Sequence, residues 1–365
     1  MTLPKWFDAH THLRQEGLLA PIIRSQLDMG CYAVLAMPNT RPVTGSIKKD
    51  DDPVTWSLEE YRDMIMAAGG DGFDHLITPL YLHKDVTPDM IARGAESGLL
   101  RAAKCYPPHG TTNASMGFPL EGLIENGVVA AMVEHGVTLC IHGEDHGLKA
   151  TEYFDRNTNA EDIFYREKMP RLMDAHPNVN VVCEHITTKT AVDFVHQAPD
   201  NVGATVTPQH LLYTIGDLII GLKYHLYCLP VVKFAEDRQA LRDAVTAPSQ
   251  TKFFAGTDSA AHTKKATDCG CAAGCFTGGI APQLYTQAFE ENGLDFTRVD
   301  HENILKNFLC FNGPDFYKMP CSEETFTLSK TPQEVTKLPS EEGDITPLPV
   351  GLGNNMIPWT LTLAA

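Results

Sequence analysis

The chain has 365 residues, a formal charge of −17 at pH 7 and ten cysteines, and 43% of its residues are apolar. This composition is typical of a globular protein with a large core, and a charge so negative argues against non-specific nucleic-acid binding because phosphates are repelled. We find no basic region followed by an apolar run at the N-terminus and no apolar stretch of membrane-spanning length, and several cysteines sit in apparent core strands. We therefore expect a cytoplasmic protein with reduced thiols that binds neither nucleic acid nor membranes.

Short apolar runs alternate with segments of helical periodicity from the N-terminus to about residue 260. The predicted strands are residues 6–13, 32–38, 76–82, 100–106, 138–142, 179–185, 202–207 and 252–256. The predicted helices between them are residues 18–29, 58–68, 88–97, 124–134, 163–175, 188–196 and 238–246. Strands separated by helices pair in parallel, and eight in succession favour an α/β fold of the closed (β/α)8 TIM-barrel type over an open sheet.

The chain changes character after the last predicted strand. A cysteine-rich loop, Cys269-Gly-Cys271-Ala-Ala-Gly-Cys275, precedes two predicted helices at residues 282–291 and 301–308. Only three of its thiols are close in sequence, so we favour an ordinary loop over a separate zinc knot. We expect residues 1–318 to form the barrel domain and residues 319–365 to be an extension that wraps the same domain, held by Trp359 and Leu361.

The first predicted strand carries a histidine pair in Phe-Asp-Ala-His-Thr-His-Leu-Arg, residues 7–14. Side chains alternate along a strand, so His10 and His12 point to the same side, with Arg14 two positions further on. Such a face can hold a metal and an anion side by side. The motif also occurs by chance on ordinary strands, so the rest of the chain must supply further ligands.

Polar residues recur at or just beyond the C-terminal ends of the predicted strands. They are His10, His12, Arg14, Asn39, Lys104, His142, His185 and Asp258. Barrel enzymes place their chemistry at that rim, whereas surface decoration would fall at both strand ends. Either His142 or His185 alone would be interpreted as a core histidine bonded to a backbone carbonyl. Together with the pair and Asp258 they favour a zinc site, since nitrogen ligands with a carboxylate suit this ion.

Lys104 ends the fourth predicted strand and is aimed at the same rim. An ordinary interpretation is a salt-bridged lysine, or one whose head group reaches solvent. Beside divalent cations an ammonium group is repelled, so within a metal site the side chain must be neutral, displaced from the centre, or converted to an anion. Reaction of the amine with carbon dioxide would give a carbamate whose oxygens can bridge two metals.

Several motifs, in order, resemble those of the compact PyrC-like bacterial class of dihydroorotases, within the amidohydrolase superfamily. They include Phe-Asp-Ala-His-Thr-His-Leu-Arg, Ala-Met-Pro-Asn, Ala-Ala-Lys-Cys-Tyr-Pro, Ile-His-Gly-Glu, Glu-His-Ile-Thr-Thr-Lys and Gly-Thr-Asp-Ser-Ala-Ala-His. The resemblance covers nearly the whole chain, although the tail after about residue 319 matches only loosely. It implies the zinc-dependent, reversible cyclisation of N-carbamoyl-L-aspartate to L-dihydroorotate in pyrimidine synthesis, and a homodimer.

The resemblance also implies a site with two zinc ions. His10, His12 and Asp258 would hold the first ion, and His142 and His185 the second. Carboxylated Lys104 and a hydroxide would bridge them. Asp258 would act as general base and then as general acid, taking the proton of the hydroxide and delivering it to the departing amide nitrogen.

Substrate contacts carry over from the resemblance residue by residue. Those that would bind the substrate carboxylate are Arg14, which can make a planar two-point contact, Asn39 and His262. Thr111 and Thr112 match a loop that closes over bound substrate. Leu229 and Ala272 match backbone contacts to the substrate ring, with Ala273 equally possible because of an extra alanine.

Two other functions remain open at this point. One is another cyclic-amide hydrolase of the hydantoinase or dihydropyrimidinase type, which would share the metals but not the substrate; Arg14, Asn39 and His262 argue against it. The other is a non-catalytic, barrel-shaped interaction protein. Such a descendant would be expected to have lost a ligand, and all six are present here.

Overall fold

A closed barrel of parallel strands forms the centre of the computed structural model, which describes residues 1–49, 51–268 and 270–364. The strands are β1 Trp6–His12, β2 Cys31–Ala36, β3 His75–Ile77 with a continuation at Leu80–Tyr81, β4 Ala102–Cys105, β5 Thr138–His142, β6 Val181–Glu184, β7 Val202–Val206 and β8 Phe253–Ala255. Each pairs in parallel with the next. The barrel closes where the backbone N–H of Asp258 donates to the carbonyl of His10 at 2.8 Å and Ser259–Ala260 pairs with Thr11 and His12. The predicted barrel is confirmed.

Inside the barrel, each polar side chain at the rim follows an apolar one two positions earlier on the same strand. Ala102 precedes Lys104 in this way, and Cys140 precedes His142. Ala102 and Cys140 belong to one buried cluster with Phe7. Because side chains two apart share a strand face, the same rows that fill the core end in polar groups at the C-terminal rim. This arrangement places the chemistry on rigid strand ends above a packed core.

The connecting helices cover the outside of the barrel. They are Leu19–Asp28, Leu58–Ala67, Pro88–Glu96, Leu120–Glu125, Val128–His135, Ala160–Ile163, Met169–Ala175, Lys189–Gln197, Pro208–Leu212, Ile215–Ile219 and Ala235–Thr246. The helix Leu58–Ala67 begins with a capping box, in which Ser57 accepts from the N–H of Glu60 and donates its own N–H to that carboxylate. Its buried face includes Leu58, Tyr61 and Ile65, at the three- and four-residue spacing of an amphipathic helix.

Two of the predicted helices were wrong in detail. The helix predicted at residues 124–134 is two helices that meet at Gly127, whose φ of +83° breaks the helical path. The helix predicted at residues 163–175 contains a π-helical turn at Phe164–Lys168. The helix Pro208–Leu212 was not predicted, because five residues are too short for a periodic pattern.

The two helices predicted after the last barrel strand are present at Ala281–Glu291 and Val299–Lys306, and a π turn at Asn307–Phe311 and a helix at Asn312–Phe316 follow them. The segment after residue 318 contains the helix Leu348–Gly351 and several short strands. Thr325–Ser329 pairs antiparallel with both Thr2–Pro4 and Thr360–Leu363, and Gln333–Glu334 pairs with Met356–Ile357. The ring of Trp359 is buried and packs edge-on against Phe296 at 5.7 Å. Within the described residues, no helix has the length and apolar character to cross a membrane.

Candidate active site

The six predicted metal donors meet at the C-terminal rim of the barrel. His10, His12, Lys104 and His142 lie on strands β1, β4 and β5, and His185 and Asp258 follow β6 and β8. Each of these side chains is buried, with at most 9% of its surface exposed: His10, His12, Lys104, His142, His185 and Asp258. Residues separated by some 250 positions in the chain therefore share one pocket.

Asp258 is the centre of the first group of donors. Its Oδ1 lies 3.0 Å from His12 Nε2 and 3.4 Å from His10 Nε2. The ligand atoms of His10, His185 and Asp258 all lie within 4.8 Å of one another, so these residues form a possible metal site. Burial disfavours the ionised form of Asp258, but hydrogen bonds from His10 and His12 outweigh it and hold its pKa well below the usual 3.8.

The other two histidines, His185 and His142, extend this group of donors. The ring of His185 lies 4.8 Å from the ring of His10 and 4.8 Å from that of His142. His142 Nε2 bonds to Glu144 at 2.8 Å, which leaves its other ring nitrogen for a ligand. Burial lowers the pKa of His12 to about 4 and that of His185 well below 6.5, so both rings are neutral, as metal ligands must be.

Among the described residues, two buried nitrogens at this site have no hydrogen-bond partner. They are Nζ of Lys104, whose side chain is fully buried, and Nδ1 of His185. Unsatisfied buried polar atoms are rare and need an explanation such as an ion. Burial lowers the pKa of Lys104 from its ordinary 10.5, which favours a neutral amine. The donor set and its orphaned atoms fit a bound divalent cation.

Three residues of the site have a backbone conformation in the left-handed region. His185 has φ of +40°, Asp258 of +48° and Arg14 of +60°. Side chains other than glycine rarely adopt this left-handed region, and such residues cluster at functional sites. The strain aims these side chains into the pocket from the loops that follow the strands.

A second set of polar residues orients the donors, and the sequence analysis missed two of them, Glu144 and Glu184. Glu184 accepts from His10 Nδ1 at 2.7 Å and from the hydroxyl of Thr205 at 2.6 Å. Its position in the sequence, directly before His185, could have identified it as a residue of the site. Asn39, predicted only as a substrate contact, also bonds His12 Nδ1 through Oδ1 at 2.8 Å. Partners of this kind set the orientation and basicity of a ligating histidine.

Four of the predicted substrate contacts, Arg14, Asn39, Thr112 and His262, line a cleft of about 390 Å³ beside the donors. Arg14 and His262 meet there, with Arg14 Nη2 3.1 Å from His262 Nε2, and Asn39 donates to the carbonyl of Thr112 at 3.0 Å. Arg14 Nε donates to the carbonyl of Ala261 at 3.0 Å, which holds the guanidinium in place.

A smaller inner cavity adjoins this cleft, shares Arg14, Asn39 and Thr112 with it, and is lined by five of the six metal donors. Thr111, Thr112 and Leu229 line it together with Ala273. Ala272 is not among the residues that line it, and its N–H instead donates to the carbonyl of Lys265 at 2.8 Å. Of the two alternatives that the sequence left open, the structure therefore places Ala273 in the cavity.

Curated relatives match nearly the full length of the chain, although no protein-family model matches it. A dihydroorotase from Vibrio cholerae is 38% identical over 374 residues, which cover 99% of each chain. One from Laribacter hongkongensis is 40% identical over 361 residues, which cover 96% of each chain. The crystal structure of dihydroorotase in complex with 5-fluoroorotic acid from Saccharomyces cerevisiae has a TM-score of 0.85 at 25% identity, covering 100% of this chain and 98% of that one. The chain belongs to the dihydroorotase family.

Dihydroorotases are cyclic amidohydrolases, so this chain is an enzyme of that class, and the resemblance identified from the sequence motifs is confirmed. An L-hydantoinase from Arthrobacter aurescens also superimposes, with a TM-score of 0.69 over 92% of this chain and 78% of that one. At 15% identity this similarity shows a common fold alone.

Two further features of this dihydroorotase site bear on the sequence predictions. Tyr106 lines the inner cavity, and its buried hydroxyl has no hydrogen-bond partner; the sequence analysis did not select it. In the cysteine-rich loop, Cys269 lies outside the described residues. Cys271 and Cys275 donate to the backbone carbonyls of Tyr224 and His225, so the described thiols have ordinary partners.

Proposed function

We propose that this dihydroorotase closes the ring of N-carbamoyl-L-aspartate to L-dihydroorotate, with loss of water, and catalyses the reverse hydrolysis. One observation carries the proposal. Four buried imidazoles and the Asp258 carboxylate line the inner cavity with Arg14, which contacts His262. The unpartnered, buried Nζ of Lys104 lies 5.2 Å from the ring centre of Tyr106, which lines the same cavity. The ligand of the yeast relative, 5-fluoroorotic acid, is likewise a pyrimidine ring with a carboxylate.

The cofactor in this proposal is a pair of zinc ions. His10, His12 and Asp258 would hold one ion, His142 and His185 the other, and carboxylated Lys104 and a hydroxide would bridge them. The fully buried and unpartnered Nζ of Lys104 supports the modification, because a neutral amine reacts with carbon dioxide. Two zinc ions held there would make a hydroxide available at neutral pH and would polarise the carbonyl under attack.

Asp258 moves the proton in both directions. In hydrolysis its carboxylate takes the proton of the nucleophile and delivers it to the departing ring nitrogen. In ring closure the same group takes the proton from the ureido nitrogen as that nitrogen attacks the carboxylate carbon, and it passes this proton to the carboxylate oxygen whose C–O bond breaks and which leaves as hydroxide. The imidazoles of His10 and His12 keep the carboxylate ionised between turnovers.

Arg14, Asn39 and His262 bind the substrate carboxylate at the outer end of the cavity. The fixed guanidinium of Arg14 offers a charged donor, and burial with the nearby charge of Arg14 lowers the pKa of His262 to about 3, so its ring stays neutral. Thr111 and Thr112 close over the ring, while the backbone at Leu229 and Ala273 holds its amide edge. These contacts distinguish dihydroorotate from substrates that lack the carboxylate.

A metal count combined with an assay tests the function. Protein expressed with zinc and bicarbonate is expected to hold two zinc ions per chain, to hydrolyse dihydroorotate, to lose that activity to a chelator and to regain it with zinc. Full activity in the chelated protein would refute the metal role. Turnover of hydantoin but not dihydroorotate, or full dihydroorotate turnover by Arg14→Met, would favour a hydantoinase. An empty site without activity would favour a non-catalytic protein.

The organisation of the chain follows from the same proposal. Residues 1–318 would form the metal-dependent catalytic domain and residues 319–365 an extension wrapping it. We also propose a cytoplasmic homodimer that acts on a small molecule and binds neither nucleic acid nor membranes. The free thiols of the described cysteines are consistent with a reducing compartment.

A further inference from the structure

A buried ion pair lies next to the site and has no part in the mechanism above. It joins Lys233 Nζ to Glu161 Oε2 at 3.8 Å, and the two residues are 4% and 1% exposed. Removing two charges from water costs more than a single contact at this distance returns, so such a pair is weak support for stability. The hydrogen bonds of each partner indicate what the pair does instead.

Glu161 holds the turn that presents His185. Its Oε1 accepts from the backbone N–H of Thr187 at 2.7 Å and of Thr188 at 3.0 Å, and both threonine hydroxyls also donate to this carboxylate. These threonines follow His185 by two and three residues, and His185 itself has the strained φ of +40°. A strained residue keeps its conformation only when its surroundings over-determine it. Glu161 provides that constraint from the separate helix Ala160–Ile163.

Lys233 contacts the backbone next to another residue that lines the cavity. Its Nζ donates to the carbonyl of Val231 at 2.8 Å, two residues after Leu229, which lines the inner cavity. The same ammonium group pairs with the carboxylate of Glu161, which anchors the turn after His185. One ion pair thus connects the turn that presents His185 with the backbone beside Leu229.

We propose that Glu161 and Lys233 are positioning residues: Glu161 holds His185 for the second metal ion, and Lys233 ties this support to the substrate wall at Leu229. This inference rests on the two-metal function proposed above. The two residues have separate effects on the site. Loss of Glu161 releases the His185 turn and weakens metal binding, while loss of Lys233 releases the Val231 carbonyl and weakens substrate binding.

Zinc titration against a chelator of known affinity tests the role of Glu161. Glu161→Gln keeps the size of the side chain but replaces one acceptor oxygen with a donor. We expect its second zinc ion to bind about 10- to 100-fold more weakly, with the first unchanged, as is usual for the loss of an outer partner of a ligand. Glu161→Asp, which keeps both oxygens, should recover part of the affinity. The matched control is Glu291→Gln, which breaks the partly buried pair with Arg242 on the helix Ala281–Glu291 and should leave both zinc affinities unchanged.

The role of Lys233 is tested by steady-state kinetics on the zinc-loaded Lys233→Met protein. We expect KM for dihydroorotate to rise by about 5- to 10-fold, the equivalent of one lost hydrogen bond, with two zinc ions still bound. This variant keeps the inference testable if Glu161→Gln fails to fold.

Each outcome has a distinct meaning. Wild-type zinc affinity in Glu161→Gln, equal weakening of both ions, or a lower melting temperature with unchanged affinities would each overturn the positioning role of Glu161. An unchanged KM in Lys233→Met would overturn that of Lys233. A wild-type protein that binds no zinc would instead refute the proposed function itself.

Discussion

At the scale of single residues, Asp258 combines burial, an unusual backbone conformation and two imidazole contacts. It is buried, its backbone is left-handed, and one carboxylate oxygen faces both His10 and His12. A carboxylate in this environment stays ionised because the imidazoles outweigh its desolvation. It can therefore accept a proton during turnover and also contact a cation.

Replacing Asp258 tests its proposed role as the group that transfers the proton. Asp258→Asn keeps the shape but removes the basic oxygen, so we expect kcat to fall by at least about 100-fold in both directions of the reaction. Initial rates of hydrolysis and of ring closure measure this effect. The zinc content of the variant must be determined in parallel, because loss of metal would lower kcat for a different reason. A variant with two zinc ions and nearly full kcat would contradict the role.

Arg14 is expected to govern substrate binding rather than chemistry. Arg14→Lys keeps the charge but loses the planar, two-point contact, and a charge-assisted hydrogen bond is worth about 1.5–3 kcal/mol. We expect KM for dihydroorotate to rise by about 10- to 100-fold with a smaller change in kcat. The control is Arg298→Lys, since Arg298 is exposed and pairs with Asp300 outside the cleft. Equal losses in kcat and kcat/KM would mean that Arg14 acts on the transition state instead.

At the scale of elements, the barrel strands were predicted well and the connections less well. The strand predicted at residues 138–142 agrees with β5, and the other barrel strands differ by a few residues at their ends. Buried parallel strands appear as short apolar runs, which are local signals. By contrast, the break at Gly127 and the π turn at Phe164–Lys168 depend on packing between helices, for which periodicity carries no information.

The C-terminal strands depend on the N-terminus for their pairing. Leu3 pairs with Phe326, which lies more than 320 residues later in the sequence, and Phe326 also pairs with Leu363. Nothing local in a tail rich in proline, threonine and glutamate predicts such a sheet. The buried ring of Trp359 packs on Phe296 and donates from its Nε1 to Glu290 at 3.3 Å, which joins this sheet to the helix Ala281–Glu291.

Truncation of Trp359 tests whether the extension stabilises the barrel. Trp359→Ala removes a buried aromatic ring, and such changes cost about 3–5 kcal/mol of unfolding free energy. Urea denaturation monitored by circular dichroism measures the loss. Because Trp359 lies outside the cavity, kcat and KM of the folded variant should remain those of the wild type. A stability close to the wild-type value would show that the extension is only loosely held.

At the scale of the whole molecule, a net charge of −17 coexists with a cleft in which cationic side chains outnumber carboxylates. Arg14, Arg41 and Lys264 line it together with Glu16 and Glu342. Local positive charge attracts an anionic substrate where the overall field would repel it. The cleft thus offers charged donors suited to a carboxylate in a chain of strongly negative net charge.

Metal removal is expected to destabilise the entire fold. Lys104 and His185 each bury a nitrogen without a partner, and His10, His12 and Asp258 come from the first and last parts of the barrel. A ligand that binds only the folded state at 100 times its Kd adds about 2.7 kcal/mol of stability. Thermal unfolding with zinc and with chelator should therefore differ by several degrees, with zinc restoring the higher melting temperature. Identical curves for the two forms would mean that the donors contribute nothing to folding through metal.

The sequence by itself determined the class of fold and the chemical types at the rim, because strand period, helix period and the position of a donor at a strand end are all local properties. Only the tertiary structure decided which groups orient those donors. Glu184 bonds His10 across 174 residues and Asn39 bonds His12 across 27. Hydrogen bonds of this kind have no period in sequence, since they depend on how neighbouring strand ends and loops meet in space.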